Sequence, residues 1–315
     1  MNPTSSAPTA NTATNIQQTS FSANWSALSG ATSYNLDVSA NSGFSSFISG
    51  YNDLNVGNVN TYSVTGLTCN RFFYYRVRAN NSCGAGSNSN TINTDVATTI
   101  LTNLLSYWKL DGNSNDAVGS NSGSEVNISY NSGEINQGAS FNGTSSNIPL
   151  GNGLNVSSSI TVSAWIKPGT MTNGNEYEIF AKNNGVGPPT NSYTFSLTAT
   201  GSSTAKFVWR ISNGSLDCGY ITPSAYSFSS NFVHVVFVYD KTNYKTYING
   251  SLWDTSGSYT HNINQTTDIP NIGSIVGTYY FFTGAIDEVG IWSRAISSCE
   301  INQLYNNGAG LQYPF

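Results

Sequence analysis

Apolar and polar residues alternate along much of this chain with a period of two. Phe21, Ala23 and Trp25 are separated by Ser22 and Asn24, and Tyr34, Leu36 and Val38 by Asn35 and Asp37. The strongest run places Phe73, Tyr75, Val77 and Ala79 between Tyr74, Arg76 and Arg78. A β-strand turns successive side chains to opposite faces, so each run predicts a half-buried antiparallel strand. Ser29-Gly30 separates the first two as a turn, and Gly84 and Gly86 end the third. Before them, the Pro/Ala/Thr-rich lead-in from Thr4 to Asn15 has little periodicity.

Beyond residue 100, short strand-like segments recur between Asn, Gly and Ser turns: 160–166, 193–197, 206–211, 232–239 and 244–248. Asn249-Gly250, directly after the last, is a tight hairpin signal. Evenly spaced short strands of this kind predict a sandwich or jelly roll. One helix stands out near the C-terminus. Ser297 and Glu300 have the spacing of a capping box, Ile296 and Ile301 that of a hydrophobic staple, and Ile301, Leu304 and Tyr305 share a face. Gly308 is placed to end it.

Composition sharpens this picture. Only 9% of the 315 residues are charged, against about 25% in an average soluble protein. The polar surface must therefore be built from Asn, Ser, Thr and Gly, which favour turns and strand faces over helix interiors. Aromatic residues make up 13% of the chain, too many for a disordered one. With 11 Lys and Arg, unclustered, and a net charge of −5, nothing provides an electrostatic footprint for nucleic acid. No apolar run approaches the roughly 20 residues that membrane insertion requires. Residues 1–8 lack the basic and apolar regions of a secretory signal; the signal was removed, the chain is a fragment, or export proceeds without one.

Cys69 and Cys83 fall in the N-terminal third, Cys218 and Cys299 beyond it, and neither pair has metal-ligand spacing. Even numbers fit disulfides in an oxidising compartment, and buried thiols are the alternative. Cys69 and Cys83 flank the strongest strand, so a bridge between them requires the chain after Ala79 to turn back through Asn80-Asn81-Ser82. Such a loop is worth roughly 3 kcal/mol. Pairing of Cys218 with Cys299 stays open.

The motifs of residues 1–98 resemble the fibronectin type III family: Trp25 on an early strand, Tyr34 after it, and Leu67 six residues before Phe73 in an aromatic-x-apolar-x-Val-x-Ala strand. Phe73 stands where that family has a corner Tyr, so the corner hydroxyl bond cannot form there. Residues 99–315 resemble the laminin G-like, concanavalin A-like jelly rolls of bacterial and phage surface proteins. Ordered blocks carry the likeness: Tyr107 to Asp116, Gln137 to Gly143, Ile160 to Pro168, Val233 to Asp240 with Tyr247 to Gly250, and Phe282 to Val289. The resemblance implies an all-β chain of two sandwiches with one short C-terminal helix. It also implies recognition of sugar, protein or matrix, and a structural calcium ion.

Candidate chemistry is sparse. Glu176 and Glu178 share a strand face, the arrangement glycosidases use, but without the intervening Asp of β-glucanases of this superfold. The plainer reading of the pair is a solvated strand edge. His234 and His261 stand in no zinc motif or dyad, and His234 falls in a structural strand block. No Gly-x-Ser-x-Gly elbow occurs. We therefore expect no catalysis. For calcium, the resemblance implies a site using Asp111, Asp116 and Asp287, since the first loop and last strand of the family lie close together. A sugar platform needs exposed aromatics, and Trp253, Tyr279 and Tyr280 lie in or beside predicted loops. Trp165 and Trp209 lie within strands and are expected in the core. These features predict an extracellular adhesin binding a glycan or surface protein. The alternative is a self-assembling structural subunit of a phage virion or extracellular filament.

Overall fold

The computed structural model describes residues 6–17, 19–67, 72–96, 100–185 and 191–315. The chain divides into two compact units, Met1–Thr99 and Ile100–Phe315.

The first unit is built from β1 (Ala10–Gln17), β2 (Ser20–Trp25), β3 (Ser33–Ser39), β4 (Leu54–Gly57), β5 (Thr61–Val64), β6 (Phe72–Asn81), β7 (Gly84–Asn88) and β8 (Ile92–Asp95). One sheet runs β1-β2-β5 and the other β4-β3-β6-β7, with β8 also on β6. Alternation decides the core: Phe21, Ala23, Trp25, Tyr34, Leu36, Val38, Phe73, Tyr75, Val77 and Ala79 all turn inward. The lead-in is less plain than its sequence, because it contains a strand. β1 buries only Ala10 and Ala13 and is interrupted by register shifts, so no period of two marks it. Phe73 is fully buried and without a hydroxyl, as expected. Tyr75, two residues on, anchors β2 instead, its hydroxyl accepting from the Asn24 amide at 3.1 Å. The buried Asp37 is matched by Arg76 at 2.9 Å and Arg78 at 3.2 Å, as a desolvated carboxylate requires.

The second unit contains β9 (Leu104–Trp108), β10 (Ser129–Ser132), β11 (Gln137–Asn142), β12 (Ile148–Pro149), β13 (Ile160–Pro168), β14 (Glu176–Lys182), β15 (Tyr193–Ala199), β16 (Thr204–Ser212), β17 (Asp217–Ile221), β18 (Tyr226–Ser227), β19 (Val233–Tyr239), β20 (Tyr244–Ile248), β21 (Ser251–Thr255), β22 (Asn271–Ile272) and β23 (Thr283–Trp292). They form two antiparallel sheets. The larger runs β10-β11-β23-β13-β19-β20-β21, with β9 on β23; the smaller runs β12-β22-β14-β15-β16-β17, with β18 on β16.

Between the sheets lies an aromatic core. Phe195 meets Trp209 edge-on at 4.9 Å and Phe237 at 5.2 Å, and Trp209 stacks on Tyr244 at 5.3 Å. The buried indole of Trp209 is satisfied by Thr246 Oγ1 at 3.0 Å. β19 is buried on both faces: Val235, Phe237 and Tyr239 join this core, while Val236 and Val238 join a second cluster with Ile301 and Leu304. That double burial explains its unbroken apolar sequence.

The second cluster is covered by helix α1 (Ser298–Tyr305). Its capping box forms as the sequence predicts, with the Ser297 side chain accepting from Glu300 N and Glu300 Oε2 accepting from Ser297 N at 2.8 Å. The helix ends at Asn306 rather than Gly308, because Asn306 itself takes the left-handed cap conformation at φ 47°.

Candidate functional site

The smaller sheet has an inner face, which supplies Tyr177, Phe195, Leu197, Phe207 and Trp209 to the core. Its outer face carries Glu176, Glu178, Ser196 and Arg210 in the opposite phase of the same strands. β14 pairs with both β15 and β22, so the acid pair is no solvated edge. Glu176 forms a two-pronged ion pair with Arg210, with Nη2 donating to Oε2 at 2.9 Å and Nη1 to Oε1. Ser196 Oγ also donates to Glu176. Glu178 is fully buried; its Oε1 accepts from Phe195 N at 3.0 Å and its Oε2 has no partner. Burial, reinforced by the neighbouring Glu176, pushes its carboxyl well above the ordinary value. One carboxylate is thus spent on an arginine and the other is sealed.

The seal is the loop between β22 and β23. Phe282 N donates to Gly273 O, Gly273 N to Ile179 O, and Glu178 N to Tyr280 O at 2.7 Å. These bonds lock the loop onto β14. Ile275 and Tyr279 close it as a small bridge. Within ten residues Gly273, Val276, Gly277 and Tyr280 all take positive φ, at 84°, 45°, 66° and 56°. For Val276 and Tyr280 this is a strained backbone that only an over-determined setting maintains. Gly273 is obligatory, since a Cβ there would lie 2.3 Å from the Phe141 ring.

The strain presents two aromatic rings to solvent. Tyr279 is 53% exposed and Tyr280 47%, with centroids 6.4 Å apart. On one side they border a cavity of about 470 Å³ with Asn183, Asn191 and Arg210. On the other, Tyr280 borders a cavity of about 580 Å³ with Asn142, Thr170, Thr172, Asn175 and Glu176. The two cavities meet at Tyr280 and at the Glu176–Arg210 pair. Volumes of this order and linings of aromatic, amide and hydroxyl groups suit small ligands.

Trp253 lies elsewhere. It is on β21, at the edge of the larger sheet, packed edge-on against Tyr226 at 5.5 Å, and lines neither cavity. Arg210, Asn183 and Asn191 carry no motif and are absent from the sequence-based expectations. Arg210 had one available signal: it is a cation in the polar phase of a strand whose other phase is Phe207, Trp209 and Ile211.

The three aspartates are each engaged separately. Asp116 Oδ1 accepts from the amides of Tyr107, Val118 and Gly119, and Oδ2 from that of Asn121, at 2.9–3.1 Å. Burial opposes its ionisation, but the amides of Gly119 and Asn121 outweigh that and hold the carboxyl below its usual range. Asp111 accepts from Gln137 N, Asn136 Nδ2 and Gln312 Nε2. Asp287 accepts from the amides of Glu134, Ile135 and Glu288. Burial pushes Asp287 up to about 8 and its neighbour Glu288 up to about 7. Oxygens already committed to donors do not fit a shared calcium ion, and among the described residues no three His, Cys, Asp or Glu side chains gather into a metal-holding group. The start of the unit and its last strand do come together, through β9 on β23.

His234 is structural: it is fully buried, its Nε2 lies 2.8 Å from Ser163 Oγ, and its ring lies 5.0 Å from Trp165. Burial pushes its pKa down to about 3, so the ring is neutral. Cys69 lies outside the described residues, and its expected bridge to Cys83 with it. Trp165 and Trp209 are buried, as expected.

Comparison with known proteins places these features. Residues 142–302 match the Concanavalin A-like lectin/glucanases superfamily, and residues 6–95 the Fibronectin type III domain. No curated protein matches the chain. Among solved structures, the binding domain of Paraclostridial Mosquitocidal Protein 1 is similar at a TM-score of 0.52 and 17% identity, over 67% of this chain and 53% of that one. Domain 4 of the extracellular arabinanase AbnA from Geobacillus stearothermophilus, in complex with arabinotriose, aligns at 0.45 and 21%, over 63% of this chain and 96% of that one. The botulinum neurotoxin serotype D ligand binding domain, in complex with N-acetylneuraminic acid, aligns at 0.48 and 16%, over 66% and 52%. The chain spans about half the length of the toxin domains it matches. At these identities the likeness concerns the fold.

Proposed function

The chain belongs to the concanavalin A-like lectin/glucanases superfamily, and from that premise we propose that it is a non-catalytic recognition protein that binds a glycan outside the cell through Tyr279 and Tyr280. The observation that carries this reading is the strained, bonded loop holding two half-exposed tyrosines beside two polar cavities. Exposing two large aromatics on a rigid backbone costs folding free energy and reduces the entropy lost when a sugar stacks on them. Asn, Thr and Arg side chains around the rings supply donors and acceptors for hydroxyl groups.

The non-catalytic part rests on the two acids. Hydrolysis of a glycosidic bond needs one carboxylic acid and one carboxylate, both able to reach the bond. Glu176 is held by Arg210, and Glu178 is fully buried beneath the loop. Placement outside the cell fits the sparse charge and the Asn/Ser/Thr-rich surface. The fibronectin type III unit then serves as a spacer that presents the second unit.

The test is a glycan array probed with the full chain and with Tyr279→Ala, Tyr280→Ala and Trp253→Ala. Loss of either tyrosine platform is expected to weaken binding roughly tenfold or more, while Trp253→Ala leaves it unchanged. Binding that survives both tyrosine variants, or release of reducing sugar by the wild type, would overturn the reading.

A further inference from the structure

We infer that the ligand is an uncharged, linear oligosaccharide, gripped by its internal units as it passes across Tyr280 from one cavity into the other. This rests on the glycan reading above and adds the charge and chain form of the ligand.

The charge follows from the only ionised groups at the site. Among the described residues lining the two cavities, Glu176 and Arg210 alone carry charge, one in each cavity, and they are bonded to each other through both carboxylate oxygens. A uronic or sialic acid would have to draw Arg210 away from a two-pronged, largely desolvated partner, or lie against Glu176 unpaired. A sugar hydroxyl avoids both costs. It donates to the carboxylate and accepts from the guanidinium N–H groups that Glu176 leaves unused, so the pair stays intact. The remaining polar side chains, among them Asn142, Thr170, Thr172, Asn175 and Asn183, are neutral amides and hydroxyls.

The chain form follows from the two cavities. Each alone lies within the size range of a ligand pocket, so one terminal sugar would occupy part of one and leave the other to water. They adjoin at Tyr280, which lines both, and the Glu176–Arg210 ion pair contributes one residue to each. A platform between two polar basins suits a sugar stacked in the middle of a chain with neighbours on either side. Gly185 keeps one end open. It takes φ 78°, and a Cβ there would lie 3.2 Å from the Tyr279 ring, so any other residue would crowd the second platform.

The experiment measures affinity of the full chain, by calorimetry, for neutral linear oligosaccharides of one to about six units cut from xylan, mannan, arabinan, galactan and β-glucan. Polygalacturonate and sialyllactose are the acidic probes. Affinity is expected to rise at least about tenfold with length for one neutral series and then level off, without dependence on salt. Thr170→Trp fills the cavity of about 580 Å³ from an exposed position and should abolish the gain with length. Tyr279→Ala should weaken every length. A single sugar bound as tightly as the longest chain, or salt-sensitive preference for an acidic probe, overturns this inference and leaves the glycan reading standing. Failure of every probe to bind overturns both.

Discussion

Glu178→Gln should gain stability relative to wild type as pH rises from 4.5 to 7, a dependence that a solvated glutamate would not produce. Glu178 is 0% exposed, one oxygen meets a single backbone amide at 3.0 Å, and the other meets nothing. Burial first, and Glu176 second, raise its pKa well above the ordinary 4.5, the opposing pull of Arg210 notwithstanding. In the unfolded chain the same group ionises near that ordinary value. Above pH 4.5 the native state therefore binds a proton that the unfolded state has released, and stability falls as pH rises. At about 1.4 kcal/mol per pH unit, the ceiling on this loss by pH 7 is about 3.4 kcal/mol. Glutamine keeps the acceptor for Phe195 N and cannot ionise. Its buried amide group lacks an acceptor, which costs about 1–3 kcal/mol at every pH. The diagnostic quantity is accordingly the change in the wild-type–variant difference between pH 4.5 and pH 7, from which constant costs cancel. Urea melts of both proteins at several pH values should show the variant gaining steadily on wild type across that range, by no more than that ceiling. A difference that stays constant with pH would mean that Glu178 is ionised when folded, and the account of a sealed carboxyl would be refuted.

Asp116→Ala removes the acceptor of four backbone amides and should cost about 2–4 kcal/mol, read from urea melts; a cost under about half a kcal/mol would show that the first loop holds itself. His234 titrates in the opposite sense to Glu178: burial lowers its pKa from 6.5 to about 3, so the unfolded state takes up a proton that the native state refuses, and stability falls as pH drops below 6.5. Wild type should lose up to about 2 kcal/mol relative to His234→Asn between pH 6.5 and pH 5, and parallel curves for the two proteins would show that the ring is protonated in place.

The legible parts of the fold are those where one physical rule acted alone. Phe21, Ala23 and Trp25 alternate because β2 has one wet and one dry face, and the helix start is written in Ser297 and Glu300, three residues apart. β1 failed to show because its register shifts break the period and only two alanines turn inward. The helix end was misplaced by two residues because glycine and asparagine both tolerate the left-handed cap, and sequence does not say which is used first. Glu176 and Glu178 read as a surface edge because two acids in a strand usually face water. The partner that makes their burial tolerable, Arg210, lies 34 residues from Glu176 and reaches it only across β15.

The candidate site was half legible, and its polar lining was the half that was missed. Consecutive tyrosines cannot both face inward from a strand, which is why Tyr279 and Tyr280 stand out. Trp253 met the same criterion of an aromatic beside a loop, yet its ring is turned against Tyr226 at the far edge. The difference lies in what surrounds each ring. Trp253 is exposed because an edge strand leaves it so, at little cost to the backbone. Tyr280 is exposed because a residue held at φ 56° and bonded through its carbonyl to Glu178 N has nowhere else to turn. Exposure that the backbone must be strained to maintain is the stronger sign of function. The bond from Glu178 also ties the platform to the buried acid. Glu178 lies sealed beneath the loop, and the surface above it is aromatic.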